Sequence, residues 1–236
     1  MMKFTGNLEL AEIHGVKTHR IDMHSHVLPA FDDGAKDLKE SLSIMKHMKE
    51  KGLEVLFWTP HLNLSSFPQI NDESIEKHYH QHVELIRKET GIEILKGSEL
   101  YCSPPLPEKI VPLGKSDFVL IEFPLDCYPR YLFDMIYSLQ LNGYRIVLAH
   151  VERYQWLFPT KKKWLKNDID YSLVEALKEK GVYFQVNYMT IENIVHYPFL
   201  FPVLKEKKVE FIGSDKHTTN DGRSVIDFEK IASIEH

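Results

Sequence analysis

The chain has 236 residues, 43% of them hydrophobic, which is enough for one barrel-sized domain with a sizeable core. Its formal net charge of −5 argues against general nucleic-acid binding, because proteins of that class usually carry an excess of basic residues. Two cysteines do not make a disulfide framework and residues 1–18 show no secretory pattern, so we expect a cytoplasmic protein. No apolar run approaches the roughly 18 residues of a membrane span, so we expect none.

Seven short segments rich in Val, Ile, Leu and aromatic residues predict buried parallel strands. They follow an N-terminal extension, residues 1–18, that lacks clear periodicity, and all lie within one predicted domain, residues 19–236. The predicted strands are 20–23, 54–58, 93–96, 118–121, 145–149, 183–186 and 210–212.

Helix-like segments lie between these strands. The first begins at Asp37, a capping residue paired with Glu40, and ends at Gly52. Others are predicted over 72–88, 130–141, 171–180 and 192–207, the last interrupted by Pro198 and Pro202, and a final helix is predicted from residue 224. This repeated alternation of strand and helix predicts an α/β architecture with a parallel sheet, either a barrel or an open sheet.

The segment Asp22-Met23-His24-Ser25-His26 closes the first predicted strand. Because side chains alternate along a strand, Asp22, His24 and His26 share one face. Two imidazoles at this spacing can hold one metal ion, although a His-x-His pair alone is also compatible with ordinary polar residues at a strand end. The ends of the other strands decide between these interpretations.

Six of the seven predicted strands finish on His, Asp or Glu side chains. In β/α barrels the carboxyl ends of the strands converge on one site, whereas an open sheet gathers residues only at its switch point. We therefore predict a barrel with one polar site. Besides the first strand, the residues at these ends are His61, Glu99, Glu122, His150, Asp215 and His217, and the first strand-to-helix loop adds Asp32 and Asp33.

This set offers nitrogen and oxygen ligands and no thiolate, a chemistry that suits Mn, Fe or Zn. It is too large for one ion, so we expect two or three ions bridged by carboxylates, an arrangement typical of phosphoester hydrolysis. Since Asp32 and Asp33 are adjacent, we expect one of them to face the metals and the other to cap the following turn. Asp22 is either a ligand or a carboxylate that orients an imidazole.

These residues resemble the PHP superfamily, named for polymerase and histidinol phosphatase, and more closely its bacterial CpsB/CapC-type metal-dependent protein-tyrosine phosphatases. The motifs that carry the resemblance extend from Ile21 to His217, over most of the chain. They are IDMHSHVLPAFDDGAKDLKESL, WTPH, LKGSELY, VLIEFP, VLAHVERY, GVYFQVN and FIGSDKH.

The resemblance implies a distorted seven-stranded β/α (TIM-like) barrel of the PHP type with three divalent metal ions, usually manganese, with iron or zinc as alternatives. It implies Glu99 and Asp215 as bridging groups and Arg153 as a phosphate-binding arginine. A second arginine usually follows the Ser-Asp-x-His motif closely, and the nearest here is Arg223, slightly further along. The implied metal ligands are His24, His26, Asp33, His61, Glu99, Glu122, His150, Asp215 and His217.

The resemblance also implies a substrate, the phosphotyrosine tail of a bacterial tyrosine kinase that controls capsule or exopolysaccharide export. Two other interpretations stay open. The same ligands would serve a PHP phosphoesterase that acts on a small molecule, such as histidinol phosphate, or on a nucleic-acid end. A non-catalytic metal-binding or kinase-docking module would predict lost ligands, and the motifs retain them all.

Neither cysteine fits a thiol phosphatase, which needs an arginine after five intervening residues, where Glu108 and Phe133 stand instead. We therefore expect Cys102→Ser and Cys127→Ser, singly and together, to hydrolyse a phosphotyrosyl substrate at close to the unsubstituted rate. The measurement is kcat/KM, with circular dichroism as the control for folding. A loss of several orders of magnitude in a folded variant would identify a thiol nucleophile.

Overall fold

The computed structural model describes residues 4–162 and 167–234 and builds the chain around parallel β-strands. Each of the seven predicted strand segments overlaps an observed strand, and four further short strands were not predicted. In chain order the strands are β1 (Ile21–Asp22), β2 (Val55–Trp58), β3 (His61–Leu62), β4 (Glu93–Lys96), β5 (Glu99–Tyr101), β6 (Phe118–Glu122), β7 (Arg145–Leu148), β8 (Thr160–Lys162), β9 (Asn167–Ile169), β10 (Tyr183–Asn187) and β11 (Phe211–Gly213).

The strands form a parallel sheet of order β1-β2-β4 and a second of order β11-β10-β7-β6-β5-β3, while β8 and β9 make an antiparallel hairpin. β3 continues the path of β2, and β5 continues that of β4, so the same two segments pair in both sheets. A parallel bridge between Ser25 and Lys216 joins the segments that follow β1 and β11. The chain thus has a mixed α/β fold on a curled parallel sheet.

The curled sheet is buried on both faces, as parallel sheets usually are. Neighbouring residues of one strand belong to different apolar clusters, because strand side chains alternate between faces. Phe57 and Leu120 pack in one cluster together with Leu10 from the N-terminal segment. Trp58 and Val119 pack in the other cluster, with the apolar sides of the helices.

Eight α-helices accompany the strands within the described residues. None of the helices in that part of the chain combines the length and the apolar composition that crossing a membrane requires. The helices are α1 (Thr5–Ile13), α2 (Leu38–Glu50), α3 (Asp72–Thr90), α4 (Leu132–Leu141), α5 (Ser172–Glu179), α6 (Tyr188–Glu192), α7 (Phe201–Lys205) and α8 (Phe228–Ile234).

Side-chain caps explain where the two longest helices begin. The carboxylate of Asp37 accepts a hydrogen bond from the N–H of Glu40 at 2.8 Å, as the sequence predicted for the start of α2. A reciprocal capping box between Asn71 and Ser74 starts α3. The loop before α2 carries the Asp32-Asp33 pair, and the loop before α3 follows β3, which begins at His61, so the caps also fix where those loops end.

The predicted helix over 192–207 is broken in the structure. Two short 3₁₀ turns, Ile194–His196 and Pro198–Leu200, lie between α6 and α7. Proline has no N–H to donate and its ring clashes with the preceding turn, so one helix cannot run through Pro198 and Pro202. The last helix, α8, begins at Phe228 rather than at residue 224.

Helix α1 lies in the N-terminal segment for which no element was predicted. The Nδ2 group of Asn7 donates hydrogen bonds to the carbonyl oxygens of Ile21 (3.1 Å) and Ile212 (3.0 Å), and its Oδ1 accepts one from the N–H of Ile212 (2.9 Å). Gly6 approaches the sheet so closely that a Cβ there would lie 2.3 Å from the Phe211 ring. One buried side chain therefore links β1 to β11, the end strands of the two sheets.

Candidate active site

The first strand leads into two buried histidines. His24 and His26 follow β1 on one face, and their Nε2 atoms lie 3.2 Å apart. Asp22 instead bonds to the main chain. Its Oδ1 accepts hydrogen bonds from the N–H groups of His24 (3.2 Å) and Ser214 (2.9 Å). Burial raises the pKa of Asp22 to about 6. Asp22 thus fastens the end of β1 to the end of β11.

The two aspartates of the Asp-Asp-Gly loop have different partners. Asp32 Oδ2 accepts hydrogen bonds from His26 Nδ1 at 2.8 Å and from the N–H of His61 at 3.1 Å. Asp33 Oδ1 instead lies 3.3 Å from both His61 Nε2 and His217 Nε2. Asp33 therefore faces the other polar side chains, whereas Asp32 orients the His26 ring from behind.

Gly34 completes this loop and has no room for a side chain. A Cβ at this position would lie 1.7 Å from the carbonyl oxygen of His26. Its N–H donates to Asp32 Oδ1 at 3.0 Å. The close approach explains why the Asp-Asp pair is followed by glycine, since any other residue would push Asp32 away from His26.

Glu99 lies buried between the two halves of the polar cluster. Parallel pairing of β3 with β5 puts His61 opposite Glu99. His61 Nδ1 lies 3.1 Å from Glu99 Oε2 and 3.5 Å from Glu122 Oε1. From the other side, His150 Nε2 lies 2.9 Å from Glu99 Oε1 and 3.6 Å from Glu122 Oε2. Residues of β3, β5 and β6, together with His150 just after β7, thus meet around one carboxylate.

His150 and Asp215 adopt positive φ angles of 31° and 53° where strands give way to loops. Such strained conformations at non-glycine residues cluster at functional sites. Asp215 Oδ1 lies 3.5 Å from His24 Nε2 and 3.7 Å from His26 Nε2. The following turn brings back His217, whose Nδ1 donates a hydrogen bond to the carbonyl oxygen of Asp215 at 2.9 Å.

The structure brings together all nine residues that the sequence predicted as ligands. Eight of them fall into three overlapping groups whose candidate ligand atoms lie within 4.8 Å of one another, and His150 joins the third group through Glu99. The groups are His26, Asp33, His61 and His217; His24, His26 and Asp215; and His61, Glu99 and Glu122.

Hydrogen bonds decide which ring nitrogens face this cluster. His26 donates its Nδ1–H to Asp32 and His217 donates its Nδ1–H to a carbonyl oxygen, so in the neutral rings both Nε2 lone pairs are left for the cluster. Lone pairs and carboxylate oxygens packed so closely repel one another unless positive charge lies among them. The donor set therefore fits divalent cations of the kind that imidazole and carboxylate bind.

The pKa values of the cluster show the same demand for positive charge. Burial opposes ionisation of Asp215, but the charges of nearby imidazoles outweigh it and lower the pKa to about 2. Burial also opposes ionisation of Glu99, and the surrounding histidines hold its pKa well below the usual value. The pKa of His26 is raised to about 9, because Asp32 and Glu99 outweigh burial and repulsion from His61.

Two arginines contact Asp215 at the solvent side of the cluster. Arg153 Nη1 lies 3.4 Å and Arg223 Nε lies 3.2 Å from Asp215 Oδ2. Arg223 also lies 3.4 Å from Asp221 Oδ2. The two side chains remain 37% and 23% exposed, so an incoming anion has access to both. Arg223 thus reaches the cluster in spite of its longer spacing from the Ser-Asp-x-His motif.

The environment of Cys102 disfavours a thiol nucleophile there. Cys102 is buried, and burial together with the charge of Glu122 raises the pKa of its thiol well above the usual value. Cys127 is exposed. A thiolate at Cys102 is therefore disfavoured, in keeping with the sequence, which offers no arginine at the required spacing.

Two buried polar residues, Gln185 and Asn187, had no role in the sequence-based prediction. They lie on β10, behind the histidines, with 0% and 5% exposure. Their signal in the sequence was their spacing, since two amides at alternate positions of an otherwise apolar strand point to the same side and need partners there.

Comparison with known proteins gives a consistent family. Residues 20–228 match the family model described as capsular polysaccharide synthesis, CpsB/CapC. The chain is 29% identical over 205 residues to the tyrosine-protein phosphatase YwqE of Bacillus subtilis strain 168, covering 84% of this chain and 77% of that protein. It is 30% identical over 215 residues to the tyrosine-protein phosphatase CpsB of Streptococcus agalactiae serotype V, covering 84% and 82%.

A solved structure gives the same result. It comes from work on YwqE of Bacillus subtilis and CpsB of Streptococcus pneumoniae, described there as unique metal-dependent tyrosine phosphatases. It matches with a TM-score of 0.72 and 27% identity, covering 91% of this chain and 86% of that one. The family match spans every residue of the polar cluster, and the chain therefore belongs to the CpsB/CapC family of capsular polysaccharide synthesis proteins.

Proposed function

We propose that this chain is a metal-dependent protein-tyrosine phosphatase, a phosphoric monoester hydrolase. The observation that carries the proposal is the convergence of five imidazoles and four carboxylates at one end of the parallel sheet, beside two arginines. The activity named for its relatives YwqE and CpsB supports the same function.

The metal content we propose is three divalent ions, with manganese as the first choice and iron or zinc as alternatives. Three overlapping donor groups support this number. A ring nitrogen has one lone pair, so carboxylates must do the bridging, and Glu99 and Asp215 lie nearest to several imidazoles. The proposed ligands are His24, His26, Asp33, His61, Glu99, Glu122, His150, Asp215 and His217.

The finer architecture we propose is a distorted seven-stranded β/α barrel, TIM-like and of the PHP type, within a single domain over 19–236. Seven strands result when β2 with β3, and β4 with β5, are each counted as one bent strand and the separate β8–β9 hairpin is left out. The Ser25–Lys216 bridge and the hydrogen bonds of Asn7 support closure between the first and last strands. Closure would direct every strand end toward one site.

Substrate binding requires a local reversal of charge. A phosphotyrosine carries close to two negative charges, whereas the chain has a net charge of −5. Arg153 and Arg223 would offer forked donors to the phosphoryl oxygens. Asp215 contacts both guanidinium groups and would hold them at the edge of the cluster in the absence of substrate.

In the proposed reaction, the nine ligands would hold divalent ions, which when bound would supply hydroxide near neutral pH and positive charge for the phosphoryl oxygens. The arginines would share the charge that builds on the equatorial oxygens. Asp32 would keep the His26 ring aligned throughout. The tyrosine leaving group has a pKa of about 10 and so needs little protonation. No covalent phosphoenzyme is needed.

The partner we propose is a phosphotyrosine-bearing protein, the tail of a bacterial tyrosine kinase in capsule or exopolysaccharide biosynthesis, encountered in the cytoplasm. The capsular description of the family supports this setting. The alternatives are a small-molecule phosphoester of the histidinol phosphate type, a nucleic-acid end, and a non-catalytic metal-binding or kinase-docking role.

A side-by-side substrate comparison separates these alternatives. We expect the manganese-loaded chain to hydrolyse a phosphotyrosyl peptide with a higher kcat/KM than histidinol phosphate or a nucleotide phosphoester. Phosphate release is the measurement, and a phosphoseryl peptide of the same sequence is the matched control. A preference for histidinol phosphate or the nucleotide would overturn the tyrosine assignment, and inactivity on every ester in metal-loaded protein would favour the non-catalytic role.

His150 and Arg153 lie three residues apart, yet we assign them different roles. His150→Ala should lower both metal occupancy and rate, because it removes a ligand. Arg153→Ala should keep its metals and lose about 10²- to 10³-fold in rate, the usual effect of removing one charge-stabilising donor. Arg153→Lys should restore part of the loss, since lysine lacks the forked grip. Elemental analysis and kinetics are measured on the same preparations.

The control for these variants is Arg87→Ala on α3, which removes an arginine whose pairs, Glu84 and Glu93, lie outside the cluster. It should change neither metal content nor rate. Metal loss in Arg153→Ala, or unchanged kinetics in that variant, would show that the division of roles is wrong.

A further inference from the structure

Two amide side chains form a buried polar chain behind the metal-ligand candidates. Gln185 and Asn187 point to the same side of β10 and are almost completely buried. Gln185 Oε1 lies 2.7 Å from the N–H of His150 and 3.2 Å from His24 Nδ1. These contacts connect the strand to two loops that arise from distant parts of the sequence.

The main chain determines which way each amide is turned. A backbone N–H can only donate, so the atom of Gln185 that meets the N–H of His150 must be the oxygen. The Nε2 group of Gln185 then donates to Asn187 Oδ1 at 2.9 Å. It follows that Asn187 presents its Nδ2 group, which donates to Asp215 Oδ2 at 3.0 Å. The orientation of both amide groups therefore follows from one backbone donor, the N–H of His150.

The same reasoning determines the tautomer of His24. Because Gln185 Oε1 accepts, the hydrogen on His24 lies on Nδ1. The Nε2 lone pair of the ring then faces Glu99 Oε1 at 3.4 Å and Asp215 Oδ1 at 3.5 Å. His24 is thereby prepared to bind through Nε2, while Gln185 contacts the ring at Nδ1.

The Asn187 end of this hydrogen-bonded pair of amides is also held in place by hydrogen bonds. The N–H of Asn187 donates to Glu152 Oε1 at 2.9 Å, and the hydroxyl of Thr190 donates to the same oxygen at 3.1 Å. Glu152 stands between His150 and Arg153 in the sequence. The amide chain therefore holds the loop after β7 and the loop after β11 in one arrangement.

We infer that Gln185 is a positioning residue of the metal centre: together with Asn187 it fixes His24 as an Nε2 ligand and aims the carboxylate of Asp215. This inference rests on the proposed function only in treating His24 and Asp215 as metal ligands. Partners of this kind typically change metal affinity by about 10- to 100-fold when they are lost.

The first test reads the tautomer directly in the unsubstituted chain. A long-range ¹H–¹⁵N spectrum of the zinc-loaded protein, labelled with ¹⁵N-histidine, should show His24 protonated at Nδ1 and zinc-bound at Nε2. A proton on Nε2 would overturn the inference. The spectrum is recorded without substrate, so it does not depend on phosphatase activity, and a chain that binds no zinc would contradict the metal centre itself.

The second test uses zinc titration calorimetry on two Gln185 variants of the full chain and on one control variant. Gln185→Met roughly keeps the volume but offers only a weakly accepting sulfur and no donor, so we expect zinc affinity to fall about 10- to 100-fold. Gln185→Glu keeps an oxygen that accepts from His24 Nδ1 and from the N–H of His150, so it should restore most of the affinity. Unchanged affinity in Gln185→Met, or an equal loss in Gln185→Glu, would overturn the inference.

The control is Thr90→Val on α3, which removes a buried hydroxyl that donates to the carbonyl oxygen of Ile86 at 2.8 Å and belongs to none of the ligand groups. We expect it to lower the Tm of the metal-free protein and to leave zinc affinity unchanged. If Thr90→Val weakened zinc binding as much as Gln185→Met, the effect would reflect general stability rather than positioning.

Discussion

The rest of the site depends on one buried carboxylate. Glu99 is 1% exposed and has ring nitrogens of four histidines within 3.4 Å. Burying an unpaired ion costs several kcal/mol, so a fold that places a carboxylate there must surround it with compensating charge. Protonated imidazoles would supply that charge themselves, and neutral imidazoles would supply it by binding metal ions. The four histidines come from three different segments: His24 and His26, His61, and His150.

Such a cluster demands a rigid support, and the fold provides it in two ways. Apolar packing on both faces of the curled sheet fixes the strands. A set of hydrogen bonds then fixes the strand ends: Asp22 joins the segments after β1 and β11, and Asp32 orients His26. Because the carboxyl ends of parallel strands open toward the same side, small changes in these supports would move several ligands at once.

Much of this could be predicted from the sequence, for identifiable reasons. The seven predicted strand segments are rich in apolar residues, and a His, Asp or Glu stands out at the end of six of them. The course of the chain between α6 and α7 was harder to predict. Pro198 and Pro202 indicate that a helix is interrupted there, but they do not indicate that 3₁₀ turns replace it. The different tasks of Asp32 and Asp33 depend on the loop turning at Gly34, and the role of Gln185 depends on a backbone N–H that no sequence pattern displays.

The central claim is that hydrolysis requires metal held by these side chains. The most direct test is phosphotyrosyl-peptide hydrolysis by the full chain before chelation, after chelation, and after return of Mn, Fe or Zn, with metal content measured on each sample. We predict that activity disappears with the metal and returns in proportion to the metal that rebinds, most fully with manganese. Full activity in protein shown by elemental analysis to be free of metal would contradict the account.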